Sequence, residues 1–179
     1  MATFAIDQAH TDVLFSAKHL MVTNVRGKFT EVRGTVEVNE ADPTASHAEL
    51  SVAAASVDTG FGARDTHLRS NDFFAVETYP EILVMTTAIT PRGGSDYVVT
   101  ADVTVKGVTR PVDFDVEFLG FFTGMDGSRR AGFHARAKIN RKDWGLDWNV
   151  ALETGGWLVG DQITLDIDLA FQEAIALAA

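Results

Sequence analysis

Apolar and polar residues alternate with a period of two along most of this chain. Val112, Phe114, Val116 and Phe118 hold one parity while Asp113, Asp115 and Glu117 hold the other. Ile163, Leu165, Ile167, Leu169 and Phe171 repeat the pattern against Thr164, Asp166 and Asp168, and Tyr97, Val99, Ala101, Val103 and Val105 do so against Thr100, Asp102 and Thr104. One greasy face and one wet face are what a half-buried antiparallel strand requires. Weaker alternation runs over Val13 to His19, Val32 to Val38, His47 to Val57, Ile82 to Ile89 and Ala131 to Ile139. The segments between them carry turn chemistry: Asn39 to Pro43, Pro91 to Asp96, Lys106-Gly107 and Met125 to Ser128. The pattern predicts an all-β domain of about eight antiparallel strands, a sandwich or a barrel.

Two segments break the alternation. Phe61 to Val76 has mixed charges at helical spacing, with Asp65 and Arg69 at i,i+4, and reads as one or two short helices crossing between strands. Asn140 to Trp148 reads as a helical turn ending at Gly145. Ala174 to Ala179 reads as a frayed tail. No linker, repeat or low-complexity tract divides the chain, so residues 1–179 form a single domain.

Composition narrows the class. The 179 residues are 46% hydrophobic and 22% charged, enough to build a core without staples, and there is no cysteine to supply a disulfide, thiolate ligand or thiol nucleophile. A formal charge of −10 repels phosphate backbones and anionic headgroups, which disfavours a nucleic-acid or membrane-surface role, although local basic clusters remain compatible with a phosphate. No run of residues has the length of a membrane span, so stable membrane insertion is not expected. Asp7, His10 and Asp12 interrupt any secretory h-region near the start, so the expected compartment is the cytoplasm.

The inward parity carries small residues among the large ones: Ala17, Gly34, Ala53, Ala88, Ala101, Ala131, Ala135 and Ala137. Interiors pack densely, so small side chains are either matched by large neighbours or leave space. A barrel of about eight strands is either just filled or holds one small ligand. Alternation alone leaves both open, because Phe15, Phe114, Phe118, Phe133 and Phe171 could fill the axis; the alanines favour a cavity.

Seven segments, in order across nearly the whole chain, then point to a family. They are Ile6 to Leu20 (IDQAHTDVLFSAKHL), Val25 to Phe29 (VRGKF), Arg64 to Phe74 (RDTHLRSNDFF), Tyr79 to Ile82 (YPEI), Val103 to Val112 (VTVKGVTRPV), Ile139 to Trp148 (INRKDWGLDW) and Val159 to Ile167 (VGDQITLDI). On these the chain resembles the YceI-like family of polyisoprenoid- or lipid-binding domains. The resemblance implies an extended, lipocalin-like antiparallel barrel with one or two short helices, holding an isoprenoid or similar long-chain amphiphile such as a prenyl quinone or prenyl phosphate. It also implies a possible homodimer and, for many relatives, export.

Strand parity and this resemblance together give Phe15, Val36, Tyr97, Val103, Phe114, Phe118, Phe133 and Phe171 as tunnel-lining residues, with Phe73, Phe74 and Trp144 at the ends. Arg64, His67 and Arg69 sit among the apolar Leu68, Phe73 and Phe74, where the cations could meet a headgroup, but the balanced charge of the segment favours Arg64, Asp65, Arg69 and Asp72 forming ion pairs that hold the crossover. His19 shares the inward parity and could hydrogen-bond a headgroup or a backbone group. Trp144, Trp148 and Trp157 could line one end or plug the core. His10 with Asp12 is a close histidine–carboxylate spacing, but no metal motif appears, so neither a metal nor a cofactor is expected. Gly60 to Asp65 (GFGARD) imitates a dinucleotide fingerprint but has an aspartate where the third glycine belongs. No catalytic constellation stands out, and the strand carboxylates Asp166 and Asp168 fall on the solvated face. The expectation is a lipid carrier rather than an enzyme. A filled interaction module and an enzyme acting on bound lipid are the alternatives.

Overall fold

The computed structural model describes residues 1–174; the expected frayed tail, apart from Ala174, lies outside the described residues. Eleven strands form one antiparallel sheet: β1 (Ala2–Ile6), β2 (Asp12–His19), β3 (Thr23–Phe29), β4 (Val32–Val38), β5 (His47–Ala53), β6 (Val57–Asp58), β7 (Glu81–Gly93), β8 (Asp96–Val105), β9 (Val108–Thr123), β10 (Arg129–Asn140) and β11 (Val159–Glu173). Eight of them close a barrel in the order β1-β4-β5-β7-β8-β9-β10-β11, and β11 returns to β1 through Phe4 opposite Glu173 and Ile6 opposite Phe171.

β11 is too long for β1 alone. β2 continues along the same edge, from Asp12 opposite Asp168 to His19 opposite Val159. A 3-10 turn at Gln8–His10 makes the step between the two strands, with the Asp7 carboxylate accepting from the Ala9 amide. β3 then pairs with β2, and the short β6 with the end of β3.

The ring therefore has the expected strand number with a different membership. β1 and β3 were not anticipated, and β2 belongs to a flap beside the ring. β1 is only five residues long, too short to show a period. In β3 the alternation of Val25 and Phe29 is broken by Gly27, which lies opposite Phe15; a Cβ there would stand 2.5 Å from the Phe15 ring. The single strand expected over His47 to Val57 is split by a 3-10 turn at Ala54–Ser56, where Ser56 Oγ donates to Ala53 O (2.7 Å) and Ala54 N to Pro80 O (2.9 Å).

Two alanines expected inside face outward. Ala53 has the opposite parity to Ala48, Leu50 and Val52, and Ala88 is exposed because a bulge between Thr86 and Ala88 shifts the phase of β7. A one-residue slip exchanges the faces of every later residue.

The crossover from β6 to β7 contains one helix, α1 (Gly62–Arg69), followed by turns. Its charged residues do hold it to the barrel, but by hydrogen bonds to the chain and not by ion pairs with one another. The buried Asp65 carboxylate accepts from Thr59 N (2.9 Å) and Thr59 Oγ1 (2.6 Å), and Arg69 donates to Ala55 O (2.8 Å) and Val57 O (3.0 Å). The chain leaves the sheet at this point, so its carbonyls take the guanidinium instead. The expected turn before Gly145 forms as a 3-10 helix at Arg141–Trp144, capped by the Asn140 side chain and ended by Gly145 in the left-handed region.

Candidate functional site

The inward side chains of the barrel do not meet across its axis. They enclose a cavity of about 950 Å³, at the upper end of the roughly 300–1,000 Å³ usual for small-molecule sites. Along β11 it is lined from Val159 to Phe171, about 40 Å along the strand at about 3.3 Å per residue, and less along the axis because barrel strands tilt. Nearly all the lining is aliphatic or aromatic. The possibility that phenylalanines fill the axis is therefore not realised.

The eleven residues assigned to the tunnel from parity and resemblance all line this cavity, as do His19, Arg64 and His67. Val36, Tyr97, Phe114, Phe118, Phe133 and Phe171 line its middle and the end away from α1. Phe15, His19, Arg64, Phe73, Phe74, Val103 and Trp144 line the α1 end. Parity places those on β8, β9, β10 and β11, whose long alternating runs let one correctly placed residue fix the rest.

Both ends carry polar lining residues, Asn39, Glu40, Ser46 and His47 away from α1 and Lys18, His19, Arg64, His67 and Arg141 beside it, but their aromatic packing differs. Away from α1, Phe4, Phe118, Phe121, Phe133 and Phe171 pack ring against ring, with centroids 5.0–5.8 Å apart. The Arg129 guanidinium covers Phe121 at 4.0 Å and makes a bidentate pair with Glu40 (2.9 and 2.8 Å). That hydrogen bonding holds the Glu40 carboxyl below the usual carboxylate range and raises the Arg129 pKa. Phe121 was missed because a register shift at Gly132/Phe133 leaves Leu119 outside and turns Phe121 inward, which no strict period predicts.

The α1 end is a polar mouth over an aromatic floor. Trp144, almost fully buried, donates Nε1–H to Val103 O (2.9 Å) and plugs the floor. His67 and Trp148 meet edge-on at 4.4 Å, Phe73 packs against both (5.2 and 5.6 Å), and Phe74 meets Phe29 edge-on at 5.6 Å. Arg64 donates Nε–H to Thr59 Oγ1 (2.7 Å) and Nη2–H to Thr59 O (3.0 Å), leaving its Nη1 donors without a partner among the described residues. The His19 imidazole makes no hydrogen bond to any described residue, so the backbone partner considered for it is not found. His67 is held by Asp72 at 2.8 Å, whereas Arg69 points into the backbone and does not line the cavity.

Arg141 also reaches this end and was not singled out from sequence. Only 4% exposed, it donates to Gly160 O (3.0 Å), Trp148 O (3.0 Å) and Leu146 O, with Asp161 at 3.6 Å. Burial pulls its pKa down, opposed by the charges of Asp161 and Asp147. Its cation pins the loop 145–150 that carries Trp148, a positioning role visible only once the loop has folded back. Trp157, by contrast, is 54% exposed and neither lines nor plugs the barrel. His10 pairs with Asp7 (2.8 Å) rather than Asp12, and among the described residues no three His, Asp or Glu side chains gather around a point where a metal could sit.

Known proteins match nearly the whole length of this chain in sequence or in fold. A UPF0312 protein of Staphylococcus aureus strain MSSA476, SAS2572, is 36% identical over 172 residues, covering 96% of this chain and 98% of that one. The crystal structure of a Campylobacter jejuni YCEI protein superposes with a TM-score of 0.75 at 29% identity, covering 95% of this chain and 97% of the other. Burkholderia cenocepacia BcnA has the same fold (TM-score 0.78, 24% identity, 92% and 98% covered). So does a polyisoprenoid binding domain from Saccharophagus degradans implicated in plant cell wall breakdown (TM-score 0.71, 16% identity, 97% and 100% covered). With the YceI-like domain matching residues 4–171, from the strand that closes the ring to the phenylalanine that ends the tunnel, this chain belongs to the YceI-like family.

Proposed function

We propose that this protein binds a polyisoprenoid or similar long-chain amphiphile inside its barrel, and sequesters or carries it without chemical change. The observation that carries the reading is the cavity of about 950 Å³ with an almost wholly apolar lining. Water gains little there, whereas each buried CH₂ contributes about 0.8 kcal/mol, so a twenty-carbon chain gains on the order of 15 kcal/mol before ordering costs. The aromatic end suits the tail. His19 and the unpartnered Nη1 donors of Arg64 suit a quinone carbonyl or a phosphate at the α1 end. A chain longer than the tunnel must fold back or protrude. Membership in the YceI-like family, and the shared fold of the S. degradans polyisoprenoid binding domain, support the same reading.

Solvent extraction of freshly purified protein, followed by mass spectrometry, tests it. Repeated recovery of a prenyl or other long-chain lipid in stoichiometric amount is the expected result. Recovery of none, together with no uptake of added prenyl quinone in native mass spectrometry, refutes it. Turnover of the added compound would refute carriage without chemistry.

A further inference from the structure

At the α1 end, next to the tunnel mouth, two hairpin tips lie side by side and both present apolar side chains to solvent. The first is the β2–β3 turn, where Leu20, Met21 and Val22 are 46%, 64% and 76% exposed. The second includes Trp157, 54% exposed, and Val150. They are joined by Leu20 N donating to Leu158 O (2.9 Å) and by Met21 lying on the backbone of Gly156. Leu158 and His19, adjacent in sequence to these tips, line the tunnel.

The turn is costly in its own terms. Val22 N donates to His19 O, and both central residues have positive φ, 52° at Leu20 and 59° at Met21. That is the type I′ pattern, which strongly prefers Asn-Gly. Here a strained backbone displays two large apolar side chains that bury little within the chain.

A basic row flanks the tips. Register places Arg26 beside Ser16, Ser16 beside Thr164 and Thr164 beside Lys138, one line across β3, β2, β11 and β10 on the outer face, with Lys18 nearer the tip. Arg26, Lys138 and Lys18 are exposed and have no ion-pair partner among the described residues. Asp161 pairs with Arg141 and Lys142, and Asp166 with His134 and Arg136, whereas Asp12 and Asp168, farther from the tips on the same face, and Glu153 and Asp147, near the second tip, are exposed with no ion-pair partner among the described residues. The net charge of −10 argues against an anionic surface at long range, but its field is screened beyond about 8 Å at physiological ionic strength, whereas this row and the tips would be in contact.

We infer that this end of the barrel is a docking surface for an anionic lipid bilayer: the Leu20–Val22 tip and Trp157 enter the headgroup region while Lys18, Arg26 and Lys138 meet lipid phosphates. Docked so, the mouth opens onto the bilayer and a long-chain lipid enters the tunnel without crossing water. The inference adds a loading surface to the proposed function and is tested separately from cargo.

The test compares the intact chain with the double variant Leu20→Asn, Met21→Gly in sedimentation with vesicles of phosphatidylcholine containing about one third phosphatidylglycerol. The variant installs the preferred I′ pair, so its thermal midpoint should be no lower, while its vesicle affinity should fall at least about tenfold for the two lost apolar side chains. Lys18→Glu with Arg26→Glu should also weaken binding, and raised salt should weaken that of the intact chain. No binding by the intact chain, or equal binding by the Asn-Gly variant, overturns the inference. Absent vesicle binding with prenyl lipid still recovered from the barrel overturns docking alone; vesicle binding with no lipid ever recovered overturns carriage alone.

Discussion

Ala135 gives the sharpest test of a hollow barrel. It lies midway along β10, between Val116 and Ile167, and its methyl group faces the cavity. Leucine there adds three carbons. In a filled core such overpacking costs about 1–3 kcal/mol, because neighbours must move or leave their rotamers. Here the added carbons enter empty space against an apolar wall. At about 0.8 kcal/mol per carbon, Ala135→Leu would stabilise the lipid-free protein by up to about 2 kcal/mol, less what the denatured chain already buries. The same carbons take the place of about three ligand methylenes, so affinity for a tunnel-filling prenyl chain should fall by about 2.4 kcal/mol, roughly sixtyfold. Urea unfolding of delipidated protein reads the first quantity, and fluorescence competition with a prenyl probe reads the second. A variant destabilised by more than about 1 kcal/mol with its affinity unchanged would mean that the wall is already packed and the cavity is not the binding site.

Three further outcomes follow from particular contacts. Trp144→Phe removes the Nε1 donor and leaves Val103 O buried without it, so urea unfolding should show a loss of about 1–3 kcal/mol. Arg141→Lys should destabilise by a similar or larger amount, because one ammonium cannot reach the Gly160, Trp148 and Leu146 carbonyls that the planar fork serves together; loss of the edge-on contact at His67–Trp148 should accompany it in the Trp148 environment. Burial works to raise the Asp7 pKa, but the hydrogen bond and charge of His10, the Ala9 amide and Arg130 outweigh it, and the folded value lies below the ordinary one. Asp7 therefore contributes stability that is present above its unfolded pKa and lost as pH falls through the lower folded value; in acid unfolding, Asp7→Asn should be less stable near neutrality and should show a shallower decline below about pH 4.

The strands legible in the sequence were those with the longest unbroken alternation. β8, β9 and β11 have one face in the tunnel and one in water, and that contrast is written residue by residue. Where local demands intervene, the period fails. Gly27 yields to the Phe15 ring, the β7 bulge turns Ala88 out, and the shift at Gly132/Phe133 brings Phe121 in. These events satisfy a partner strand, and no single strand announces them.

Residue order was enough to read the class, the inward residues of the central strands and the family, because a two-residue period and the order of motifs need no knowledge of pairing. Tertiary structure alone decided which strands close the ring, since β1 and β2 compete for the same edge of β11 and only length along that edge separates them. It also decided that the barrel is hollow. Whether phenylalanines fill the axis depends on strand tilt and closure, which are properties of all eight strands together. The roles of Arg64, Arg69 and Arg141 belong to the same category: the three are alike as letters, but each takes its role from whichever carbonyls, donors or open cavity the folded chain leaves within reach.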